Sequence, residues 1–253
     1  MLKLDIEKTR PLIKMAVEED LGRGDVTSKL FTNDRTEAES FIIPREEIIV
    51  CGTHIACEIL KVYNDRLQLK VLIDDGNKAV AGQAIAKITG PLRPMLSAER
   101  VILNFLQRLS GIATETKKYV EAVKGTHTKI YDTRKTTPGW RILDKYAVRC
   151  GGGHNHRLGL YDGILIKDNH LAQLHGDLYE ELSDIIRKAR QVEGVKFVAV
   201  EVDHVDDQLN HVLRIPGIDI VLLDNMGQWQ LKHAVEMRDQ MIRDRHKKPL
   251  LEA

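Results

Sequence analysis

Apolar residues recur along this chain with two different rhythms, and the change between them divides it. In residues 4–20, Leu12, Ile13, Ala16 and Val17 fall on one helical stripe, with Asp5, Glu7, Glu18, Glu19 and Asp20 around it; this predicts an amphipathic helix. The two glycines of "LGRGDVTS" break it. Residues 36–50 ("TEAESFIIPREEIIV") read as strand, turn, strand, and "THIACEILKVYN" reads as a helix. "LQLKVLIDDGNKAVAGQAIAKITGP" alternates apolar and polar residues around Asp-Asp-Gly and Ala-Gly, the mark of hairpins. A long helix then opens at Ser97, with Val101, Ile102, Phe105, Leu106 and Leu109 as its stripe and Gly111 as a candidate interruption.

Beyond about residue 128 the rhythm changes to short continuous apolar runs: "KIYD" (129–132), "GILIKD" (163–168), "KFVAVEVD" (196–203), "IDIVLLD" (218–224) and "PLLEA" (249–253). Helical segments such as "LYEELSDIIRKARQV" and "QWQLKHAVEMRDQMIRD" separate several of them. Continuous apolar strands alternating with helices predict a parallel sheet covered by helices. The expected fold is therefore α/β, with an N-terminal α+β domain over 1–105 and a TIM-like α/β barrel over 106–253. Asp132, Lys167, Glu201 and Asp224 stand at the ends of four of the runs. Polar groups at the C-terminal ends of parallel strands mark the active-site face of such a barrel; the competing account is charged strand ends facing solvent.

Composition removes some functions. With 43% apolar and 30% charged residues in 253, the chain is a globular one with room for a large core. Its 38 basic and 37 acidic residues leave a net charge of +1, so bulk charge argues for neither nucleic acid nor an anionic membrane. The odd cysteine count (Cys51, Cys57, Cys150) without C-x-x-C spacing predicts free thiols in a reducing compartment. With no signal-peptide core and no membrane-length apolar run, a cytoplasmic location is expected.

Any anion site must then be local. Between Asp132 and His170 lie seven cations (Arg134, Lys135, Arg141, Lys145, Arg149, Arg157, Lys167) against four acids. Arg141, Lys145 and Arg149 are spaced i, i+4, i+8, which predicts one solvated helix face. Arg134, Lys135, Arg157 and Lys167 instead sit at strand ends or in turns beside glycines. Guanidinium forks match carboxylate or phosphate, so this set suits a ligand with several negative charges; an Arg134–Asp132 ion pair is the structural alternative. The glycines of "RCGGGHNHRLG" would let backbone approach a ligand closely, and an extended chain would point His154 and His156 to one side, Asn155 and Arg157 to the other. Such an H-x-H can hold a metal but more often does not. Glu201 and Asp224 are the acids available to a hard cation such as Mg²⁺. There is no P-loop motif, no G-x-S-x-G elbow, and Gly22-Arg23-Gly24 is too short for a dinucleotide fingerprint. A cation-rich site with two acids and no nucleophile fits a reaction run by positioning and electrostatics.

The blocks "EEDLGRGDVTS", "ERVILNFLQRLSGIAT", "YDTRKTTPGWR", "KYAVRCGGGHNHRLGLYDGILIKDNH", "VEVD" and "VLLDNM" together resemble the quinolinate phosphoribosyltransferase family, from about residue 16 onward. The resemblance implies an open barrel of about seven strands. It implies a homodimer or a hexamer built as a trimer of dimers, with active sites between subunits. It implies transfer of phosphoribosyl from phosphoribosyl pyrophosphate to quinolinate with Mg²⁺, releasing pyrophosphate and CO₂ and giving nicotinate mononucleotide in de novo NAD biosynthesis. By matching position, Arg134, His156, Arg157 and Lys167 would hold the quinolinate carboxylates, and Lys135 would sit by the phosphoribosyl pyrophosphate. Glu201 and Asp224 would serve the ribose hydroxyls and Mg²⁺, and Arg100 would reach into the partner subunit's site. Lys135, Glu201 and Asp224 are the expected catalytic set.

Family members continue past "KKPLLEA" with a Ser-Gly-Gly turn, a helix, a last strand and a Gly-containing loop. The chain is therefore expected to lack the main 5′-phosphate cradle and the last barrel strand. Two other functions compete: a metal-dependent, amidohydrolase-like barrel using His154, His156 and Lys167, and an inactive dicarboxylate-binding relative.

Overall fold

A computed structural model describes residues 4–33, 35–242 and 248–253. The chain divides into two compact units, Met1–His156 and Arg157–Ala253.

The first unit opens with a 3-10 turn, Glu7–Thr9, leading into helix α1, Arg10–Leu21. The helix buries Ile13 and Val17 of the expected stripe, and Pro11 is tolerated in its first turn, where an N–H has no intrahelical partner. Helix α2, Val26–Phe31, is capped by Asp25, whose carboxylate accepts from the Ser28 amide at 2.8 Å. Strands β1 (Glu37–Ile42) and β2 (Ile48–Ile49) precede helix α3 (Thr53–Tyr63). Its N-cap is Gly52, which has no side chain to offer; Asp75 supplies the cap from a remote loop, accepting from the Gly52 and Thr53 amides at 2.9 and 3.0 Å.

Strands β3 (Gln68–Val71), β4 (Lys78–Ala79) and β5 (Ala86–Pro91) follow, but they do not pair as successive hairpins. One antiparallel sheet has the order β1-β5-β3, and β2 pairs with β4. The alternation foretold strands but not partners, since partners are set by burial of distant apolar faces.

Helix α4, Leu92–Ala122, is 31 residues long. It starts five residues before the expected Ser97, whose hydroxyl lies inside the helix at 2.9 Å from Asp25 Oδ2, and Gly111 does not interrupt it. Pro91 supplies the extended residue before it, and Pro94 falls within the first turn. The expected boundary at 105/106 thus lies within one continuous helix. Helix α5, Arg141–Cys150, packs on α4, and the core joins Ile13, Ile55, Ile59, Ile102, Phe105, Leu109, Leu143 and Tyr146. The "KIYD" run is not a strand here: it makes one parallel bridge, Tyr131 to His154, before the chain leaves for a Pro-Gly turn.

The second unit is a parallel sheet of order β6-β7-β8-β9: Ile164–Ile166, Val198–Val202, Ile220–Leu223 and Leu250–Glu252. Helices α6 (Asp168–Leu171), α7 (Leu178–Ala189), α8 (Asn210–Arg214, entered by a π turn, Val205–Leu209) and α9 (Gln228–Met241) connect the strands. Val198, Val200, Val202, Val221 and Leu223 of one sheet face join Leu182, Ile186, Leu209 and Ala234 in a second core. All five residues of β7 are buried, as expected of a central parallel strand.

Candidate active site

In the first unit the site begins where the Tyr131–His154 bridge ends. The Asp132 carboxylate accepts from the buried Lys145 ammonium, from Asn155 Nδ2 at 2.6 Å and from the His156 amide at 2.9 Å. Lys145 also donates to the His156 carbonyl at 3.2 Å, and Asn155 to the Lys145 carbonyl at 2.8 Å. The expected solvated face of α5 is therefore corrected. Arg149 is exposed, but Lys145 is 3% exposed, its charge neutralised by Asp132. An Arg134–Asp132 pair is not what forms; Lys145 takes Asp132.

The loop carrying Arg134 and Lys135 is braced from two helices. Arg141 Nε donates to Thr136 Oγ1 at 3.1 Å. Arg108 of α4 clamps Asp144 through Nε and Nη2 and reaches Thr137 Oγ1 at 2.8 Å. Its guanidinium lies 5.1 Å from the Trp140 ring centre, and Trp140 packs on Phe105 at 4.6 Å. Thr137–Trp140 closes a turn with Pro138 second and Gly139 third; Gly139 has φ +81°, which the third position of a type II turn requires. Held this way, Arg134 is half-buried and its Nε is buried with no hydrogen-bond partner among the described residues. Lys135 is exposed. Arg100, on α4, is exposed as well.

The three glycines after α5 do work other than the expected approach to a ligand. A Cβ on Gly151 would stand 2.4 Å from the Ala113 carbonyl of α4, and one on Gly153 would stand 2.7 Å from Val148. They let the end of α5 press on α4. His154 is exposed with its ring tilted against Tyr131 at 5.2 Å, so the expected H-x-H face is half occupied by an aromatic contact.

In the second unit, Arg157 is buried and donates to the Gly163 carbonyl at 3.1 Å. Asp162 organises the turn after it, accepting from the Leu158 and Gly159 amides at 3.0 Å each and from Lys196 at 3.1 Å. Burial alone would raise the Asp162 carboxyl, but these donors outweigh it and hold the pKa at about 2. Register pairs Ile166 with Val200, which sets the next residues, Lys167 and Glu201, side by side; Lys167 Nζ lies 2.6 Å from Glu201 Oε2. Glu201 is 5% exposed and Lys167 nearly half exposed, so a ligand can reach the lysine. Lys167 also starts α6, its amide donating to His170 Nδ1 at 3.0 Å. Asp224 follows β8, half-buried; its amide donates to the Val202 carbonyl and its Oδ2 accepts from Asn225 Nδ2 at 2.8 Å. Asn225 takes φ +51°, a conformation asparagine tolerates.

Thus Arg134, Lys135 and His156 share one frame, and Arg157, Lys167, Glu201 and Asp224 lie in the other unit, the last three at successive strand ends. Sequence reasoning missed Lys145, Arg108 and Asn155. No local pattern marks Lys145, because its partner stands thirteen residues earlier across the fold.

A different cluster joins Cys51, Asp75 and Cys150, whose ligand atoms lie within 4.8 Å of one another. The three cysteines are free thiols. The Cys150 hydrogen bond and burial push the Cys51 thiol far up, and Asp75 accepts from the Gly52 and Thr53 amides, the Thr53 hydroxyl and Tyr146 Oη, the last at 2.9 Å. No helix among the described residues is long and apolar enough to cross a membrane.

Residues 25–110 match the N-terminal domain of quinolinate phosphoribosyl transferase, and residues 112–253 match its C-terminal domain. A probable nicotinate-nucleotide pyrophosphorylase (carboxylating) of Bacillus subtilis is 42% identical over 221 residues, 87% of this chain and 73% of the relative. The nicotinate-nucleotide pyrophosphorylase (carboxylating) of Mycobacterium leprae is 39% identical over 238 residues, 93% of this chain and 81% of the relative. The solved nicotinate-nucleotide pyrophosphorylase of Francisella tularensis superposes with a TM-score of 0.86 at 38% identity, covering 98% of this chain and 83% of that one. The chain belongs to the quinolinate phosphoribosyl transferase family.

Proposed function

We propose that the chain transfers phosphoribosyl from phosphoribosyl pyrophosphate to quinolinate, releasing pyrophosphate and CO₂ and giving nicotinate mononucleotide. The observation that carries the reading is Arg134. A buried guanidinium nitrogen without a partner is costly, and a substrate carboxylate is the group whose geometry satisfies it. No observation favours the amidohydrolase-like reading, and relatives named as pyrophosphorylases favour transfer over an inactive dicarboxylate binder.

Arg134, His156, Arg157 and Lys167 hold the two quinolinate carboxylates, and the exposed Arg100 serves the partner subunit's site in a homodimer or hexamer. Lys135, exposed beside Arg134, meets the phosphoribosyl pyrophosphate. Glu201 and Asp224 accept the ribose hydroxyls. They also fit Mg²⁺, which needs only one or two carboxylates when phosphate oxygens fill its other positions; the half-buried Asp224 stands near the Lys167-neutralised Glu201 at neighbouring strand ends. Bound Mg²⁺ would screen the charge of the departing pyrophosphate. As that bond breaks, the anomeric carbon gains oxocarbenium character, and the carboxylates of Glu201 and Asp224 stabilise it electrostatically. The quinolinate nitrogen forms the new bond to the anomeric carbon and becomes a pyridinium. That cation accepts the electron pair left on the adjacent carbon when CO₂ departs, and a proton from solvent replaces the lost carboxylate. The enzyme is proposed to act in the cytoplasm.

The test is formation of nicotinate mononucleotide from the two substrates with Mg²⁺, alongside quinolinate binding by calorimetry. Product that depends on both substrates supports the reading. Absence of both product and quinolinate binding would overturn it.

A further inference from the structure

The Asp132–Lys145 pair is buried, and neither member is assigned a contact with a substrate. Replacing such a pair by apolar groups often leaves stability unchanged or raises it, so burial of two charges is weak support for a role in holding the fold. What distinguishes this pair is its geometry around a single peptide. Asp132 accepts the His156 amide proton at 2.9 Å, and Lys145 donates to the His156 carbonyl at 3.2 Å. Both backbone polar groups of His156 are thus held by the two members of one ion pair. Asp132 also takes Asn155 Nδ2 at 2.6 Å, and Asn155 in turn grips the Lys145 carbonyl, which closes the ring. Asp132 stands two residues before Arg134, and their loop is braced by Arg141 and Arg108. The pair therefore ties the loop of Arg134 to the segment of His156.

We propose that Asp132 and Lys145 are positioning residues that fix His156 relative to Arg134 and so set the spacing at which the site receives the quinolinate carboxylates; this rests on the function proposed above. The pair holds the backbone of His156, which is assigned to quinolinate, whereas the Lys135 amide is held within its own loop by Thr133 Oγ1 at 3.0 Å, so the larger effect falls on quinolinate. A catalytic misplacement of about 1 Å costs on the order of a hundredfold, and loss of one of two tethers is expected to cost less.

The experiment compares the full chain with K145M, D132N and the double variant D132N/K145M, measuring quinolinate dissociation constants by calorimetry, the KM for each substrate, and melting temperature. K145M should weaken quinolinate binding at least tenfold while the KM for phosphoribosyl pyrophosphate stays within twofold. It should also melt earlier, because it leaves a buried carboxylate without its counter-charge. The double variant removes both charges and should recover much of the melting temperature, yet quinolinate binding should stay at least fivefold weaker, because the Lys145 tether to the His156 carbonyl is still missing. Recovery of both together would make the pair a packing element only and overturn the proposal, as would equal effects on both substrates. If the wild-type chain binds no quinolinate, the proposed function falls and this inference with it. If wild type binds and the variants bind equally well, only this inference falls.

Discussion

The two units hold their candidate residues by different physical means. In the second unit the polar residues stand where a parallel sheet puts them. Once β6, β7 and β8 pair in register, Lys167, Glu201 and Asp224 must gather at one end, because each lies next to the last residue of its strand. In the first unit nothing so regular operates. Arg134 and Lys135 lie on a loop, and that loop keeps its shape because Arg108, Arg141 and Lys145 reach it from two helices. A sheet edge positions through many shared backbone bonds; a braced loop positions through a few charged side chains. The loop should accordingly be the more fragile of the two to single substitutions.

Arg134→Ala gives the largest expected effect on that comparison. It removes a ligand contact without removing a brace, so quinolinate affinity should fall about a hundredfold, from loss of charge-assisted bonds worth roughly 3 kcal/mol. The melting temperature should hold or rise, since a buried unpaired donor is lost with it. Calorimetry and thermal melting together decide it; unchanged affinity would remove Arg134 from the site. Glu201→Gln probes the sheet-built side. It keeps shape while removing the charge, so kcat should drop about a hundredfold in a steady-state assay, with quinolinate affinity changed far less.

Gly151→Ala tests the packing beneath the braces. Its methyl would overlap the Ala113 carbonyl of α4, a backbone atom that cannot swing aside, and overpacking of this kind costs about 1–3 kcal/mol. Melting should fall by several degrees; an unchanged midpoint would mean that α5 does not press on α4 as described. Gly125→Ala makes a useful contrast, because its Cβ meets open space and only its φ of +86° opposes the change.

The smallest effect concerns Asp162. Its pKa is held at about 2 in the folded chain, below the usual carboxylate value near 3.9. A depressed folded pKa contributes stability that is fully present above about pH 4 and is lost as pH falls toward 2. Asp162→Asn should therefore melt below wild type at pH 7, and the gap should narrow by pH 2.5. A gap independent of pH would mean that the loss comes from altered geometry at the Leu158 and Gly159 amides and not from the carboxylate's charge.

How much was legible in advance follows the same division. The apolar runs at 163–168, 196–203, 218–224 and 249–253 foretold four parallel strands, and the central one, β7, is buried on both faces as a continuously apolar run requires. The "KIYD" run shares that composition yet makes one bridge, since the chain turns away at Asp132. Helix α4 was legible in its stripe but not in its start, because Pro91 and Leu92, rather than Ser97, begin it. The expected strands of the first unit formed with partners that no local alternation specifies.

The sequence by itself determined the elements, the residue types of the site and the family, since periodicity and long motifs are written locally. Only the tertiary structure decided that Lys145 is buried, that Asp132 belongs to it and not to Arg134, and that Lys167 pairs with Glu201. Those are choices among partners far apart in the chain. They depend on which charges lose their water together, and a residue's neighbours in sequence carry no record of that.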